Sequence, residues 1–310
     1  MEKINCIFCG GSEEDRILIQ ENGFLGRRCD RCGLIYISPR PSLNEIRNHY
    51  SHDKAYLSAD SHEARSFSKG LQARHHLSIL RRYCRKGRLL ELGSGAGQFL
   101  FEARRSGYEV YGIEWNRKQL NYIRDRLNIR CEEGNLTQAY KKINFDIIYH
   151  CDVASHLYDP IFEFCSMNER LSQDGILMFE TGSANFSEKY LPSFPSFQYP
   201  DHLFFFSDKN IVELLTKAGF KILKIYKWSI LPELYLKKSL LKRRVKASSG
   251  KRDSGQIQPI DYLHKKGGFI GKGLDVFLFL LRYGIGYVLP KKNIPCTCMI
   301  IAQKKGHPIH

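Results

Sequence analysis

The sequence contains no uncharged stretch of the ~18 residues that a membrane-spanning helix needs, although 43% of its 310 residues are hydrophobic. Its first residues, MEKINCIFCGG, also lack the apolar segment of a secretory signal. We therefore expect a globular, cytoplasmic protein. Its ten cysteines would then be thiols or metal ligands rather than disulfides.

Acidic residues are in short supply. The chain has 32 Asp and Glu against 48 Lys and Arg, which gives a formal net charge of +16. Such an excess indicates an anionic partner, and a nucleic acid, a phosphorylated substrate and an acidic membrane surface all fit this description. Composition alone leaves the three open.

Four of the cysteines form two closely spaced pairs, CIFC and CDRC, and each pair is followed by glycine. Two intervening residues let both thiolates of a pair face one ion, and two such pairs complete a tetrahedral Zn²⁺ site. Because the protein would supply every ligand, the metal would be structural, and a redox dithiol is the alternative. We predict a zinc ribbon over residues 1–40 whose ligands are Cys6, Cys9, Cys29 and Cys32.

Strands and helices alternate from residue 88 onward, which predicts an α/β fold with a doubly wound parallel sheet. We assign residues 88–230 and 296–305 to this core and 41–87 to N-terminal helices, the first capped by Ser42. His75 and His76 of the second helix are predicted to face solvent or substrate. In such a sheet the ligand binds beyond the carboxyl ends of the strands, beginning at the first strand-to-helix turn.

That first turn has the sequence ELGSGAG. The glycines alternate, so the spacing of a dinucleotide fingerprint fails, and Glu91 would repel a pyrophosphate. The same carboxylate would attract a ligand that carries an ammonium and a sulfonium, as S-adenosylmethionine does. ELGSGAG resembles in full the E/D-x-G-x-G-x-G motif of the class I methyltransferases.

The resemblance continues along the chain and implies the rest of the cofactor site. Glu114 ends the second strand, where an acid accepts both ribose hydroxyls; Trp115 would stack on adenine, and Asn135 stands where the family often has an acid. The segment DIIYHCDVASHLYDP resembles the D-V-L-E-H-x-x-D-P stretch of the small-molecule branch, with Ser155 in place of its glutamate, so no catalytic metal is expected. The implied cofactor-binding residues are Glu91, Gly93, Ser94, Gly95, Gly97, Glu114, Trp115, Asn135, Leu136 and Cys151.

Methyl transfer needs in-line alignment of acceptor, methyl and sulfur, which can supply about 7–11 kcal/mol. It also needs a base if the acceptor is a hydroxyl or a carbon acid. Histidine titrates near neutral pH, so His156 and His202 are the first candidates. Asp152 and Tyr199 are the second.

We predict methyl transfer to a hydroxyl or carbon of a sugar or related small molecule, because the combination of ribbon and core resembles enzymes of sugar and polysaccharide modification. An RNA methyltransferase is the main alternative, since it would explain both the ribbon and the basic charge. Against it, HCDVASHL follows the fourth strand in place of the D/N-P-P-Y/F motif of base methylation. An inactive cofactor-binding module is a third interpretation.

Residues 231–295 form an insertion before the last strand. They contain 14 Lys and Arg against 4 acids, so 14 − 4 = +10 of the net charge lies here. One interpretation is a helical lid over the sheet; another is an amphipathic helix in an anionic membrane surface, which would depend on the six basic residues of 237–246; RNA contact is a third. The sequence leaves the oligomeric state open.

Overall fold

The structure is a computed structural model, and it describes residues 1–11, 15–52, 59–194, 196–236, 239 and 269–305. The predicted charge cluster at 237–246 therefore lies almost entirely outside the described residues. Among the described residues, no helix combines the length and the apolar character needed to cross a bilayer.

A seven-stranded sheet forms the centre of the molecule. Its strands, in spatial order, are β10 (Phe220–Ser229), β11 (Cys296–Lys304), β8 (Leu171–Ser183), β7 (Phe145–Cys151), β4 (Arg88–Leu92), β5 (Glu109–Ile113) and β6 (Arg130–Glu132). β11 pairs antiparallel with its two neighbours, and the remaining pairs are parallel. The predicted α/β fold is confirmed.

Helices cover both faces of this sheet. They are α1 (Leu43–His52), α2 (Ala59–Leu80), α3 (Gln98–Arg105), α4 (Arg117–Asp125), α5 (Pro160–Arg170), α6 (Asp208–Lys217) and α7 (Phe269–Phe279). α7 continues without a break through a π-helical segment, Leu280–Ile285, and a last turn, Gly286–Val288. Both faces of the central strands are covered, which explains why β4 is an unbroken buried run rather than an alternating one.

Side-chain caps explain where several helices begin. Ser42 and Glu45 hydrogen-bond across the first turn of α1, as predicted. The Asn116 side chain accepts from the backbone N–H groups of residues 118 and 119 at the start of α4, and Ser207 and Asn210 form a reciprocal capping box on α6. These caps fix the strand-to-helix turns that bear the site.

A second, four-stranded antiparallel sheet lies at the N-terminus. It contains β1 (Arg16–Glu21), β2 (Phe24–Arg28), β3 (Ile35–Ile37) and β9 (Phe204–Phe205). The last strand was not predicted, because it is two residues long and belongs to the stretch assigned to the core, far from the ribbon in sequence. The cysteine ribbon is therefore completed by residues of the core.

α2 packs its histidines inward. His76 is fully buried, and its ring nitrogens lie 2.7 Å from the Tyr149 hydroxyl and 3.0 Å from Glu180. The His75 ring contacts aromatic rings on α7 and β10, and burial lowers its pKa to about 4. The prediction that this pair faces solvent or substrate is therefore wrong, because the histidines lie on the helix face that covers the sheet.

Candidate functional site

A cavity of about 420 Å³ opens at the carboxyl ends of β4, β5 and β7. This volume lies within the range of ~300–1,000 Å³ that is typical of small-molecule sites. The turns after these three strands form one wall, and side chains of α1 and α2 form the other. Residues that line it include Tyr50, Lys69, Gln72, Glu91, Gly93, Ser94, Gly95, Glu114, Trp115, Cys151, Asp152 and His156.

The glycine turn after β4 has a backbone that only glycine adopts easily. Gly93, Gly95 and Gly97 have φ values of 65°, 54° and 75°. A Cβ on Gly93 would lie 2.7 Å from Val153 Cγ2, and one on Gly97 would lie 2.9 Å from Ile123 Cγ1. Gly93 and Gly95 therefore bring backbone to the cavity, whereas Gly97 allows α3 and α4 to pack closely.

Two buried carboxylates flank the turn. Glu114 accepts hydrogen bonds from the backbone N–H groups of Gly95 at 2.7 Å and Asn116 at 2.8 Å. Glu91 is 6% exposed, and its Oε2 has no hydrogen-bond partner among the described residues. Burial raises the pKa of Glu91 well above its usual range, and the nearby charge of Glu114 raises it further. A cation in the cavity would relieve both effects, so the site fits the ammonium and sulfonium of S-adenosylmethionine.

Three predicted cofactor residues do not line the cavity. Asn135 accepts a 2.8 Å hydrogen bond from the Thr137 hydroxyl. Leu136 is 1% exposed in the hydrophobic core, and Gly97 packs as described above. The predicted Trp115 does line the cavity, and the Arg47 guanidinium lies 5.5 Å from the centroid of its ring.

His156 follows β7 on a single 3₁₀ turn and lines the cavity. Its Nδ1 lies 2.8 Å from the backbone oxygen of Asp201 and 3.1 Å from the Tyr50 hydroxyl. Because a carbonyl oxygen can only accept, Nδ1 must carry the proton, and Nε2 keeps a free electron pair. Burial lowers the pKa of His156 below that of an ordinary histidine, so the ring is neutral at pH 7.

A second cavity of about 260 Å³ adjoins the first, and the two share Asp152 in their walls. His202 lines this second cavity, with its ring centroid 4.5 Å from that of His156. Burial lowers the pKa of His202 to about 3, and its Nδ1 has no partner among the described residues. Other polar residues of the wall are Ser155, Thr181, Ser183, Ser196, Gln198, Arg282 and Thr297.

The structure does not bring Tyr199 to either cavity. Its ring is 2% exposed, and its hydroxyl lies against the backbone of Gly26, where a Cβ would overlap it. Burial raises the pKa of this phenol, so it stays protonated near neutral pH and cannot take a proton from an acceptor. Tyr199 therefore packs the segment that precedes β9 against β2 of the N-terminal sheet.

Sequence reasoning missed a buried hydrogen-bond network beside the first cavity. Glu180, on β8, is completely buried and bonds to His76 at 3.0 Å, Tyr283 at 3.1 Å and Gln72 at 3.3 Å. Tyr283 belongs to the insertion, so this network ties the helix that continues α7 to the core. The available signal was a lone acid in the apolar strand ILMFE.

The four paired cysteines come together at the N-terminus. Sγ of Cys6 lies 3.3 Å from that of Cys32, Sγ of Cys9 lies 3.3 Å from that of Cys29, and all four are within 4.8 Å of one another. Sulfur atoms around a tetrahedral zinc, with bonds of ~2.3 Å, would be about 3.8 Å apart. Each pair also ends in a glycine of positive φ, so this cluster fits a zinc ion.

Comparisons with known proteins agree with this geometry. The sequence profile of the family described as "Methyltransferase domain" matches residues 62–225, more than half of the chain. The Bacillus subtilis (strain 168) protein YqeM, whose name describes it as a methyltransferase, is 29% identical over 125 residues; the match covers 37% of this chain and 49% of YqeM. This chain thus matches about half the length of that curated relative.

The chain is also similar to solved structures at low sequence identity. Phosphoethanolamine N-methyltransferase 2 of Haemonchus contortus, in complex with S-adenosyl-L-methionine, superposes with a TM-score of 0.50 at 16% identity, over 87% of this chain and 61% of that one. A Galdieria sulphuraria protein named for sarcosine dimethylglycine methylation gives a TM-score of 0.48 at 14% identity, over 84% and 99% of the two chains.

The family match covers most of α2, the glycine turn and both flanking carboxylates, so it includes every residue that lines the first cavity except Tyr50. The chain belongs to the methyltransferase-domain family, and its fold is the class I S-adenosylmethionine-dependent methyltransferase fold that the sequence predicted.

Proposed function

We propose that the protein transfers a methyl group to a hydroxyl or carbon of a sugar or related small molecule, with His156 as the base. The observation that carries the proposal is the meeting of two cavities at Asp152, with His156 beside the junction. A methyl donor in the first cavity and an acceptor in the second would then face each other across this point.

The first cavity contains the groups that would hold the cofactor. Glu91 would accept from the ammonium group and Glu114 from the ribose hydroxyls, while the glycine turn lets the backbone approach closely. When bound, S-adenosylmethionine supplies an electrophilic methyl group on a positively charged sulfur. The protein needs only to align the acceptor with that group and to remove its proton.

The second cavity suits a small hydroxylated acceptor. Its volume of about 260 Å³ is below the usual range for larger ligands. Its wall includes the polar residues Ser155, Thr181 and Gln198, whereas the hydroxyls of Ser183 and Ser196 already donate to Asp208 and Glu21. Hydroxyl and amide groups both donate and accept hydrogen bonds, which favours a ligand with several hydroxyls of its own.

His156 is placed to take the proton from the acceptor. Nε2 of His156 would take the proton from the acceptor, whose oxygen or carbon would accept the methyl group that S-adenosylmethionine supplies, leaving neutral S-adenosylhomocysteine. The imidazolium that results lies near the charge of Asp152, which favours it. His202 stays neutral because of its low pKa and does not repel that charge.

Untargeted mass spectrometry tests the acceptor class. The enzyme and S-adenosylmethionine are added to a small-molecule extract, and the products that gain the mass of a methyl group are identified. We expect hydroxylated small molecules. Methylation confined to RNA, or to amines, would contradict the proposed acceptor but not the methyltransferase assignment.

Two variants test the base. His156→Asn should lower turnover by about 10²–10⁴-fold, while the affinity for S-adenosylhomocysteine in calorimetry stays within a few-fold. His202→Asn, the matched neighbour, should have a much smaller effect. Wild-type turnover in His156→Asn would show that proton removal occurs elsewhere.

We further propose that the cysteine cluster holds one structural zinc. The purified protein should contain one zinc per chain, and Cys29→Ser should lose it. Cys84→Ser changes a cysteine outside the cluster and should retain the metal. If wild-type protein isolated without chelators contains no zinc, the cysteine cluster is not a zinc site.

A further inference from the structure

The outward side of α7 and its continuation is covered by apolar side chains. Of thirteen large hydrophobic residues exposed among the described residues, six lie between residues 276 and 288. Leu280 is 53% exposed and Val288 is 78% exposed. The six are Val276, Phe277, Leu280, Ile285, Tyr287 and Val288, and we call them the apolar face.

The opposite side of the same helix fixes its orientation. Arg282 donates two hydrogen bonds to Glu233, at 2.9 and 3.1 Å, and Tyr283 joins the Glu180 network. Gly286 lies directly against the backbone oxygen of Ser229 on β10, where any side chain would clash. Because the helix is held by these contacts, rotation cannot bury the apolar face.

Basic side chains flank the apolar face. Lys272 is exposed near the start of α7, and Lys292 is exposed just after the last helical turn. The acids of the described part of the insertion, Glu233 and Asp275, are 8% and 4% exposed. The solvent-facing surface here is therefore apolar in the middle and positive at both ends.

We propose that the apolar face lies in the surface of a membrane rich in anionic lipids. Apolar side chains would enter the headgroup boundary, where Tyr287 is also favoured, and the flanking lysines would meet lipid phosphates. A second copy of the chain is a poorer occupant, because each copy would bring its own insertion of net charge +10 to the contact. RNA phosphates would pair with the lysines but leave the apolar side chains in water.

The proposed contact surface is linked to the acceptor site. Arg282, on the inward side of this helix, lines the second cavity. A membrane beneath the apolar face would thus lie one helix away from the acceptor cavity. This proposal stands independently of which acceptor is methylated.

Vesicle flotation tests the proposal with the full-length protein. Vesicles of phosphatidylcholine alone are compared with vesicles in which about one third of the lipid is phosphatidylglycerol. We expect recovery only with the anionic vesicles, and less of it as salt rises, because salt screens the lysine contacts.

Matched variants separate the apolar and charged contributions. Replacing Phe277 and Leu280 by serine should weaken partitioning about tenfold or more, whereas Phe162→Ser, at a similarly exposed position on α5, should not. Replacing the flanking lysines, Lys272 and Lys292, by glutamine should weaken binding to anionic vesicles by a similar factor. Thermal melting before flotation confirms that each variant is folded.

Three outcomes would overturn the proposal. They are no recovery with either vesicle, equal recovery with both, and wild-type partitioning of the Phe277 and Leu280 variant. Sedimentation velocity is run on the same samples, and a dimer that this variant abolishes would identify a second copy as the occupant instead.

Discussion

Glu91 and Glu180 are both buried acids at the carboxyl edge of the central sheet, yet their surroundings are opposite. Glu180 is completely buried and is hydrogen-bonded by three side chains. Glu91 is 6% exposed, lines the cofactor cavity and leaves one oxygen without a partner among the described residues. The protein satisfies one carboxylate itself and leaves the other for a ligand.

Their pKa shifts follow this difference. Burial alone would raise the pKa of Glu180, but His76 and Arg282 outweigh it, so the pKa is lowered. Burial and Glu114 both raise the pKa of Glu91, and no cation close by outweighs them. A raised pKa at a buried carboxylate thus marks the binding site, and a lowered one marks the scaffold.

The largest expected effect is a loss of unfolding free energy when Glu180, the fully hydrogen-bonded acid, is replaced. Glu180→Ala leaves His76, Gln72 and Tyr283 without their shared acceptor, and breaking such a buried pair costs about 3–5 kcal/mol of unfolding free energy. Urea unfolding measures it. The double variant Glu180→Leu with His76→Phe removes both members of the pair and should be less destabilised than the single one. A loss of under ~1 kcal/mol in Glu180→Ala would show that the network contributes little.

The second effect is on ligand affinity. Glu91→Gln removes the charge that would hold the cofactor ammonium, and a charged hydrogen bond is worth about 1.5–3 kcal/mol, or about 10- to 100-fold in the dissociation constant of S-adenosylhomocysteine. Calorimetry measures it, with Glu213→Gln, on α6 and outside the walls of both cavities, as the control. Unchanged affinity in Glu91→Gln would place the ammonium elsewhere.

The pH dependence of stability should separate the two acids by sign. The raised pKa of Glu91 means that its contribution falls as pH rises from the ordinary value of 4.5 toward the folded pKa. The lowered pKa of Glu180 means that its contribution is present above 4.5 and is lost as pH falls through the folded pKa.

Urea unfolding of the ligand-free protein, measured from below pH 4.5 to above it, tests whether the two contributions change in opposite directions. As pH rises, the unfolding free energy of the wild type should fall relative to that of Glu91→Gln. It should rise relative to that of Glu180→Gln. Equal slopes for the two variants would contradict the comparison.

The smallest expected effect is on turnover, and it concerns the hydrogen bond between Tyr50 and His156. His156 Nδ1 contacts the backbone oxygen of Asp201 and the Tyr50 hydroxyl, so Tyr50 supplies part of the bonding that holds the ring. Tyr50→Phe removes a hydrogen bond of about 0.5–1.5 kcal/mol, so turnover should fall by up to about tenfold. If Tyr50 acts through His156, the acid limb of the pH–rate profile should also move, which a loss of packing alone would not produce.

The sequence predicted features that depend on neighbours in the chain. The glycine turn, the Ser42 cap and the cysteine pairs each arise within a few residues, and the structure contains all of them. It did not predict the Glu180 network, because Gln72 and Tyr283 come from helices about 200 residues apart in the sequence. Asn135 was assigned to the cofactor by resemblance, but it does not line the first cavity, and its Oδ1 accepts a local hydrogen bond from Thr137.

The pairing of β3 with β9 has a consequence for the order of folding. Ile35 and Tyr36 pair with Phe205 and Phe204, so the N-terminal sheet remains one strand short until residue 205 has been synthesised. Until then β3 presents an unpaired edge, which is a template for aggregation. Fragments that end before residue 204 should therefore aggregate during translation, even though they contain all four cysteines of the ribbon.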